Sequence, residues 1–279
     1  MSNTNHAIDV SSLKGVSETL LIPFIARARA STHFPDLKFR DPKAEEILHR
    51  LDIDFSSLPL DSGSLRKNIV RARLFDERLR AFFETHPEGT AISLGAGLST
   101  QFYRVDNGHL KWFDIDLPEV IEIKSSIIPE NDRYHFLACS LTDPKWLERI
   151  SWNPGEPVIL ICEGVLNFIE PEMVKSFFQM IEKYFPTEAE ILFDYIHPIL
   201  VGLANKSNYI QKNSAQFKWG IRSIQNVIAW SDRFRLLNEV SIMSQIGGTR
   251  AWVAKLFHWL TKSHLYAIAQ LKIEATKTP

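Results

Sequence analysis

The sequence predicts an α/β fold centred on a parallel sheet, and three observations carry that prediction. From Thr90 onward, short apolar runs alternate with amphipathic stretches of helical period. Such alternation builds a parallel sheet with helices on both faces. The first run, Ala91 to Leu94, ends in Gly95-Ala96-Gly97. A glycine turn at a strand's carboxyl end is where open α/β sheets bind ligands. Finally, two late apolar runs close the alternation without the long helix that separates the earlier ones.

The elements follow in chain order. Residues from about 16 to 30 read as helix, and "FRDPKAEEILHRL" starts another, with Asp41 as N-cap and Pro42 at the first helical position. The polar stretch "DIDFSSLPLDSGS" is a loop. In "SLRKNIVRARLFDERLRAFFET" the residues Leu65, Ile69, Ala72, Leu79 and Phe83 recur every three or four positions and define one buried face. Residues 1–88 are therefore a helical cap or added layer. "TAISLG", "KWFDIDL", "RYHFLAC", "PVILICEG" and "AEILFDYI" read as five strands, the fourth apolar throughout as a central parallel strand is. Between them lie the helices "LPEVIEIKSSII", "DPKWLERI" and "EPEMVKSFFQMIEKYF". The last is amphipathic through Met173, Val174, Phe177, Phe178, Ile181 and Phe185. Residues 89–197 thus form the ligand-binding half, and 198–231 a helical insertion expected to act as a lid. In 232–279 the strands "FRLLNEVSIMS" and "YAIAQLKIEA" flank an apolar helical piece around Trp252 to Trp259.

Composition sets the bounds. The chain has 279 residues, 45% of them hydrophobic and 23% charged, ordinary material for a single domain with a full core. A net charge of -1 gives the whole chain no pull toward nucleic acid or an acidic membrane, although a local basic patch stays open. Cys139 and Cys162 sit in apolar runs and read as core thiols, and no metal site is expected. The first residues lack a signal-peptide pattern, and "TLLIPFIA" is far short of the ~18 residues that span a bilayer. A cytoplasmic protein without a membrane partner is the expectation.

The glycine turn narrows the ligand. Asp116 ends the next strand 19 residues beyond Gly97, the usual separation for an acid that binds ribose hydroxyls. Asp114 and Asp116 are expected to take opposite faces, so that only Asp116 reaches the ligand. A dinucleotide fingerprint has a third glycine that admits pyrophosphate at a helix N-terminus. That position is Thr100. S-adenosylmethionine carries the same ribose and no phosphate, so the loop favours the methyl donor over NAD.

Taken in order, "SLGAGLSTQFYRVD", "WFDIDLPEVIEIK", "RYHFLACSLTD", "ICEGVLNFI" and "LFDY" resemble the leucine carboxyl methyltransferase family, which includes tetracenomycin-type O-methyltransferases. The resemblance covers most of the chain. It implies the Rossmann-like class I methyltransferase sheet of seven strands, the last antiparallel. It also implies roles for individual residues. Arg71 binds the carboxylate at the donor's methionine end, a suitable task for a guanidinium. Gly95 and Gly97 approach the donor, Asp116 binds its ribose, Ser140 and Leu141 face its adenine, and Glu163 lies near its ammonium. The family's aspartate in the donor loop is Ser99 here, and its usual Asp-Leu pair is Ser140-Leu141, so weaker donor binding is an open expectation. Asn167 stands where many relatives carry an aromatic residue.

The implied reaction is methyl transfer to the carboxylate or hydroxyl of a small molecule, a polyketide being one example. A protein C-terminus as acceptor, a non-catalytic donor-binding relative and an NAD-dependent oxidoreductase are the alternatives. An ionised carboxylate needs no general base, whereas a phenol does. His197 and Tyr195, after and within the fifth strand, are the candidate catalytic groups, and His135 reads as structural. Phe217, Trp219 and Trp230 of the insertion suit either an aromatic acceptor or the lid's own core.

Overall fold

The computed structural model describes residues 8–9, 20–52, 61–206 and 216–276. Seven strands form the central sheet: β1 (Thr90–Leu94), β2 (Lys111–Asp116), β3 (Tyr134–Ala138), β4 (Val158–Cys162), β5 (Ala189–Ile196), β6 (Phe234–Ser241) and β7 (Tyr266–Ile273). Their spatial order is β3-β2-β1-β4-β5-β7-β6. The first five are parallel, and β7 runs antiparallel to both β5 and β6. This is the class I methyltransferase sheet. Order reverses between β1 and β4, which opens a crevice at their carboxyl ends. β1 and β4 are buried at every position, so their apolar runs need no polar alternation.

Two apolar cores lie on opposite faces of the sheet. One receives the early helices α1 (Leu21–Ala28), α2 (Pro42–Leu48) and α3 (Ser62–Thr85), with α4 (Gln101–Val105) and α5 (Pro118–Ile127). The other holds α6 (Lys145–Arg149) and α7 (Pro171–Tyr184). The early helices are thus a full layer of the sandwich. Asp41 caps α2 by accepting from Ala44 N–H at 3.0 Å, with Pro42 at the first helical position. Asp61 caps α3 in the same way, at 2.9 Å from Ser64 N, and the helix starts two residues earlier than expected. Leu65, Ile69, Ala72, Leu79 and Phe83 are all buried. Residues 16–19, expected to be helical, and most of the expected loop at 52–64 lie outside the described residues. Leu51–Asp52, expected to end a helix and open that loop, instead pair in parallel with Ile8–Asp9.

Three further expectations change. Met173 is exposed, because it sits one position off the buried face of α7 that Val174, Phe177, Phe178 and Ile181 form. The described residues of the insertion after β5 are helical only in part, in two short helices, α8 (Pro198–Ala204) and α9 (Gln225–Ile228). Its aromatic residues serve the core: Trp219 is buried, Trp230 packs edge-on against Phe178, and Phe217 stacks on Phe168 at 4.7 Å. Finally, Asp114 and Asp116 share a face of β2, since side chains two residues apart along a strand point the same way. Depth divides them instead. Asp114 is consumed inside by Trp112 Nε1, the Tyr134 hydroxyl and buried Lys124. The last helix, α10 (Gly248–Thr261), joins β6 to β7. Cys139 and Cys162 are buried free thiols. No helix among the described residues is long and apolar enough to cross a membrane.

Candidate active site

The carboxyl ends of β1, β2, β4 and β5 gather most of the residues singled out from sequence. Gly95 and Gly97 have φ of +68° and +52°, a left-handed backbone that favours glycine. At Gly95 a Cβ would also lie 2.4 Å from Val165, in the loop after β4. The turn is therefore a close approach of two strand-end loops. Asp116 fastens it: its Oδ2 accepts from Gly97 N–H at 2.7 Å and its Oδ1 from Leu117 N–H at 2.7 Å. Burial raises the Asp116 pKa, and those two N–H groups work against the rise. Each carboxylate oxygen keeps a second lone pair for a ligand hydroxyl.

Across the crevice, Arg71 on α3 and Glu163 after β4 form an ion pair, with Nε donating to Oε1 at 3.0 Å. Gly164 follows at φ +70°, and a Cβ there would sit 2.7 Å from the Arg71 guanidinium, so only glycine lets the arginine through. Arg71 also donates from Nη1 to the Tyr266 hydroxyl at 3.0 Å. That hydroxyl donates to Asp194 Oδ2 at 2.8 Å. Asp194 further accepts from Gly164 N–H at 2.5 Å and from Asn167 Nδ2 at 3.3 Å. Burial works against the charge on Arg71, but Tyr266, Asp194 and Glu163 outweigh it and hold its pKa above the ordinary value. Burial raises the Asp194 pKa despite Arg71 nearby. Nη2 makes no hydrogen bond to a described residue.

Ser140 and Leu141 follow β3. Ser140 Oγ lies 3.0 Å from Thr142 Oγ1, and Leu141 is buried with its carbonyl accepting from Trp146 Nε1 at 3.0 Å. Ser99 is half-buried in the glycine loop and its Oγ accepts from Gln101 N–H at 3.2 Å, which supports the start of α4. The next residue, Thr100, turns away to donate to Asp41 at 2.6 Å.

The two candidate catalytic groups are not brought to the crevice as free bases. Tyr195 is fully buried in the second core, and its hydroxyl donates to Glu239 on β6. Burial and then Glu239 raise its pKa, so it is a neutral phenol. His197 is buried at the N-cap of α8, where Nδ1 accepts from Ile199 N–H at 3.3 Å. Burial, then Arg222, lowers its pKa. In this arrangement the Tyr195 hydroxyl and the His197 Nδ1 are both already engaged. His135 tilts against Phe113 and is partly exposed.

A second network supports the loop and was not anticipated. Asp41 Oδ2 meets Arg104 Nη1 at 2.5 Å and Arg27 Nε at 3.5 Å. Arg104 also grips Asp76 through Nε at 2.7 Å and Nη2 at 3.0 Å, and Arg27 Nη2 donates to the Leu98 carbonyl at 3.1 Å. Asp41, Arg27, Asp76 and Thr100 are all buried. The early helices therefore hold the glycine loop through charge-assisted hydrogen bonds to Leu98 and Thr100, and its following helix through the Arg104 ion pairs. Asp194, Tyr266 and this network carried one available signal: acids and arginines inside apolar periodic runs, which need partners when buried.

The comparisons with known proteins point the same way. The family profile described as leucine carboxyl methyltransferase matches residues 21–182. The tetracenomycin polyketide synthesis O-methyltransferase TcmP of Streptomyces glaucescens is 32% identical over 210 residues, 75% of this chain and 76% of that one. An S-adenosyl-L-methionine-dependent methyltransferase, dpfgK of Gibberella zeae, is 24% identical over 88% of this chain and 91% of its own. Among solved structures, a candidate methyltransferase from Thermobifida fusca superposes with a TM-score of 0.60 at 12% identity, covering 95% of this chain and 97% of that one.

Proposed function

The chain belongs to the leucine carboxyl methyltransferase family and is an S-adenosylmethionine-dependent methyltransferase; from that premise we propose that it methylates oxygen, on a carboxylate of a small-molecule acceptor such as a polyketide acid. The pairing of Arg71 with Glu163 beside the two left-handed glycines carries the donor half of this reading. The donor's amino-acid end has one carboxylate and one ammonium, and a guanidinium with a carboxylate is its complement. Arg71 would take the carboxylate through Nη2, which has no partner among the described residues, and Glu163 the ammonium. Asp116 would take the ribose hydroxyls, and Ser140 and Leu141 would border the adenine. When bound, the donor supplies an electrophilic methyl group on sulfonium.

The chain's own part is alignment and exclusion of water. Gly95 and Gly97 let backbone come close, and Asp116 and the Arg27 contact to Leu98 hold that backbone still. The state of Tyr195 and His197 supports the carboxylate acceptor. One is a neutral buried phenol and the other spends Nδ1 on a helix cap. A carboxylate is already ionised at neutral pH and asks neither for proton removal. The relative TcmP supports a polyketide-like acceptor. Incubation with radiolabelled donor and a panel of carboxylic acids and phenols tests the proposal. Transfer to acids, giving base-labile methyl esters, is expected. Transfer to phenols alone would overturn the carboxylate assignment, and absence of donor binding by calorimetry at millimolar donor would overturn the enzyme.

A further inference from the structure

Helix α10 presents its sides in reverse. The small residues Ala251 and Ala254 face the protein and are 7% and 3% exposed, whereas Trp252, Trp259 and Leu260 are 65%, 67% and 65% exposed. Val253 and Leu256 lie exposed with them. At 3.6 residues per turn these five fall within one arc roughly 120° wide, opposite the alanines. A helix that only completes a core turns its large apolar residues inward. Lys255 borders one edge of the arc and Lys262 stands at the C-cap, whereas Arg250, beyond the other edge, lays its guanidinium against Gly63 of α3. From Gly247 to Tyr266 the sequence contains no acidic residue. Glu239 of the adjacent strand is taken by Tyr195 and His264. Phe257 of α10 packs edge-on against His197 at 5.2 Å, and the exposed Ile199 and Leu203 of neighbouring α8 add apolar surface.

From this we infer that α10 is an interfacial helix that seats the protein on an anionic phospholipid bilayer. Indoles sit at headgroup depth, leucine and valine enter the acyl boundary, and Lys255 and Lys262 at the rim reach lipid phosphates. Charge selects the lipid over a second copy of the chain. A two-fold contact through this face would bring the lysines Lys255 and Lys262 of both copies to it with no acid among the α10 residues to answer them. The expectation of no membrane partner came from the net charge of the whole chain, which averages this patch away.

The test is co-sedimentation of the full chain with vesicles. Vesicles of phosphatidylcholine and phosphatidylglycerol at about 7:3 are expected to bind it at least about tenfold more tightly than phosphatidylcholine alone. Trp252→Glu/Trp259→Glu is expected to abolish sedimentation, and Lys255→Glu to weaken it by about fivefold or more. Unchanged far-UV circular dichroism and melting temperature establish that the variants fold. Sedimentation retained by the double tryptophan variant overturns the inference, as does absence of sedimentation by the parent. A dimer in light scattering that the double variant dissociates, without vesicle binding, overturns it in favour of self-association. None of these readouts depends on methyl transfer.

Discussion

Replacing Asp41 separates two contributions that one side chain makes. Its Oδ1 caps α2 and its Oδ2 receives Arg104, Thr100 and Arg27. Loss of an N-cap costs about 1 kcal/mol. Breaking a fully buried ion pair costs about 3–5 kcal/mol, chiefly through the charge left without a partner. Arg104 keeps Asp76 in the variant, which argues for the lower end, about 3 kcal/mol. Arg27 is the group left worst placed. Burial and the neighbouring Arg104 already lower its pKa, and Asp41 is the closest acid opposing them. Asp41→Ala should therefore lose about 4 kcal/mol and Asp41→Asn about 3, because asparagine caps as well as aspartate. Both are large fractions of a stability of roughly 5–15 kcal/mol. Urea unfolding followed by tryptophan fluorescence measures them. A loss below about 1 kcal/mol for Asp41→Ala would refute the view that this carboxylate neutralises a buried cation pair. Equal losses for both variants would refute the capping share.

Other outcomes follow from the same geometry. Arg71→Ala should weaken donor binding by at least about tenfold in calorimetry, since a charge-assisted hydrogen bond is worth about 1.5–3 kcal/mol; unchanged affinity removes Arg71 from the donor site. Ser99→Asp should change donor affinity less than about threefold, because Ser99 already accepts from Gln101 N–H. A tenfold gain would show that serine weakens the loop. The folded-state pKa of His197 is lowered, so the unfolded chain binds the extra proton first. Its contribution is complete above the unfolded value near 6.5 and is lost as pH falls through the depressed folded value. His197→Asn should keep the cap and flatten the fall in melting temperature between about pH 7 and 5. An unchanged slope would show that the ring does not titrate on unfolding.

Much of the fold was legible because its signals are local. Alternating apolar runs, the Asp41-Pro42 start and the face from Leu65 to Phe83 each declare themselves within a few turns. The glycine turn and Asp116 were legible for a related reason, as a strand end with its acid at a known spacing. What escaped depends on partners far away in sequence. Arg71 reads as an arginine at the edge of an apolar stripe, yet its partners stand 92 and 195 residues downstream. Tyr195 and His197 looked placed for chemistry because both stand at the end of β5. Only the packing shows that Glu239 on β6 takes the Tyr195 hydroxyl and that His197 Nδ1 accepts from the first turn of α8. The reversed face of α10 was visible as an apolar piece, but a single sequence does not say which way a helix is turned.

The position of Tyr266 has a consequence for biosynthesis. Its strand β7 is translated after the six others, yet it inserts between β5 and β6. Until it arrives, the growing polypeptide carries β5 with an unpaired edge, and Arg71 and Asp194 lack the hydroxyl that joins them. Non-local pairing of this kind is slow to form and exposes strand edges meanwhile. If Arg71 holds the donor as proposed, donor binding should be among the last properties the nascent protein acquires, and a ribosome stalled before residue 266 would display a five-stranded sheet whose Arg71 still lacks the Tyr266 hydroxyl.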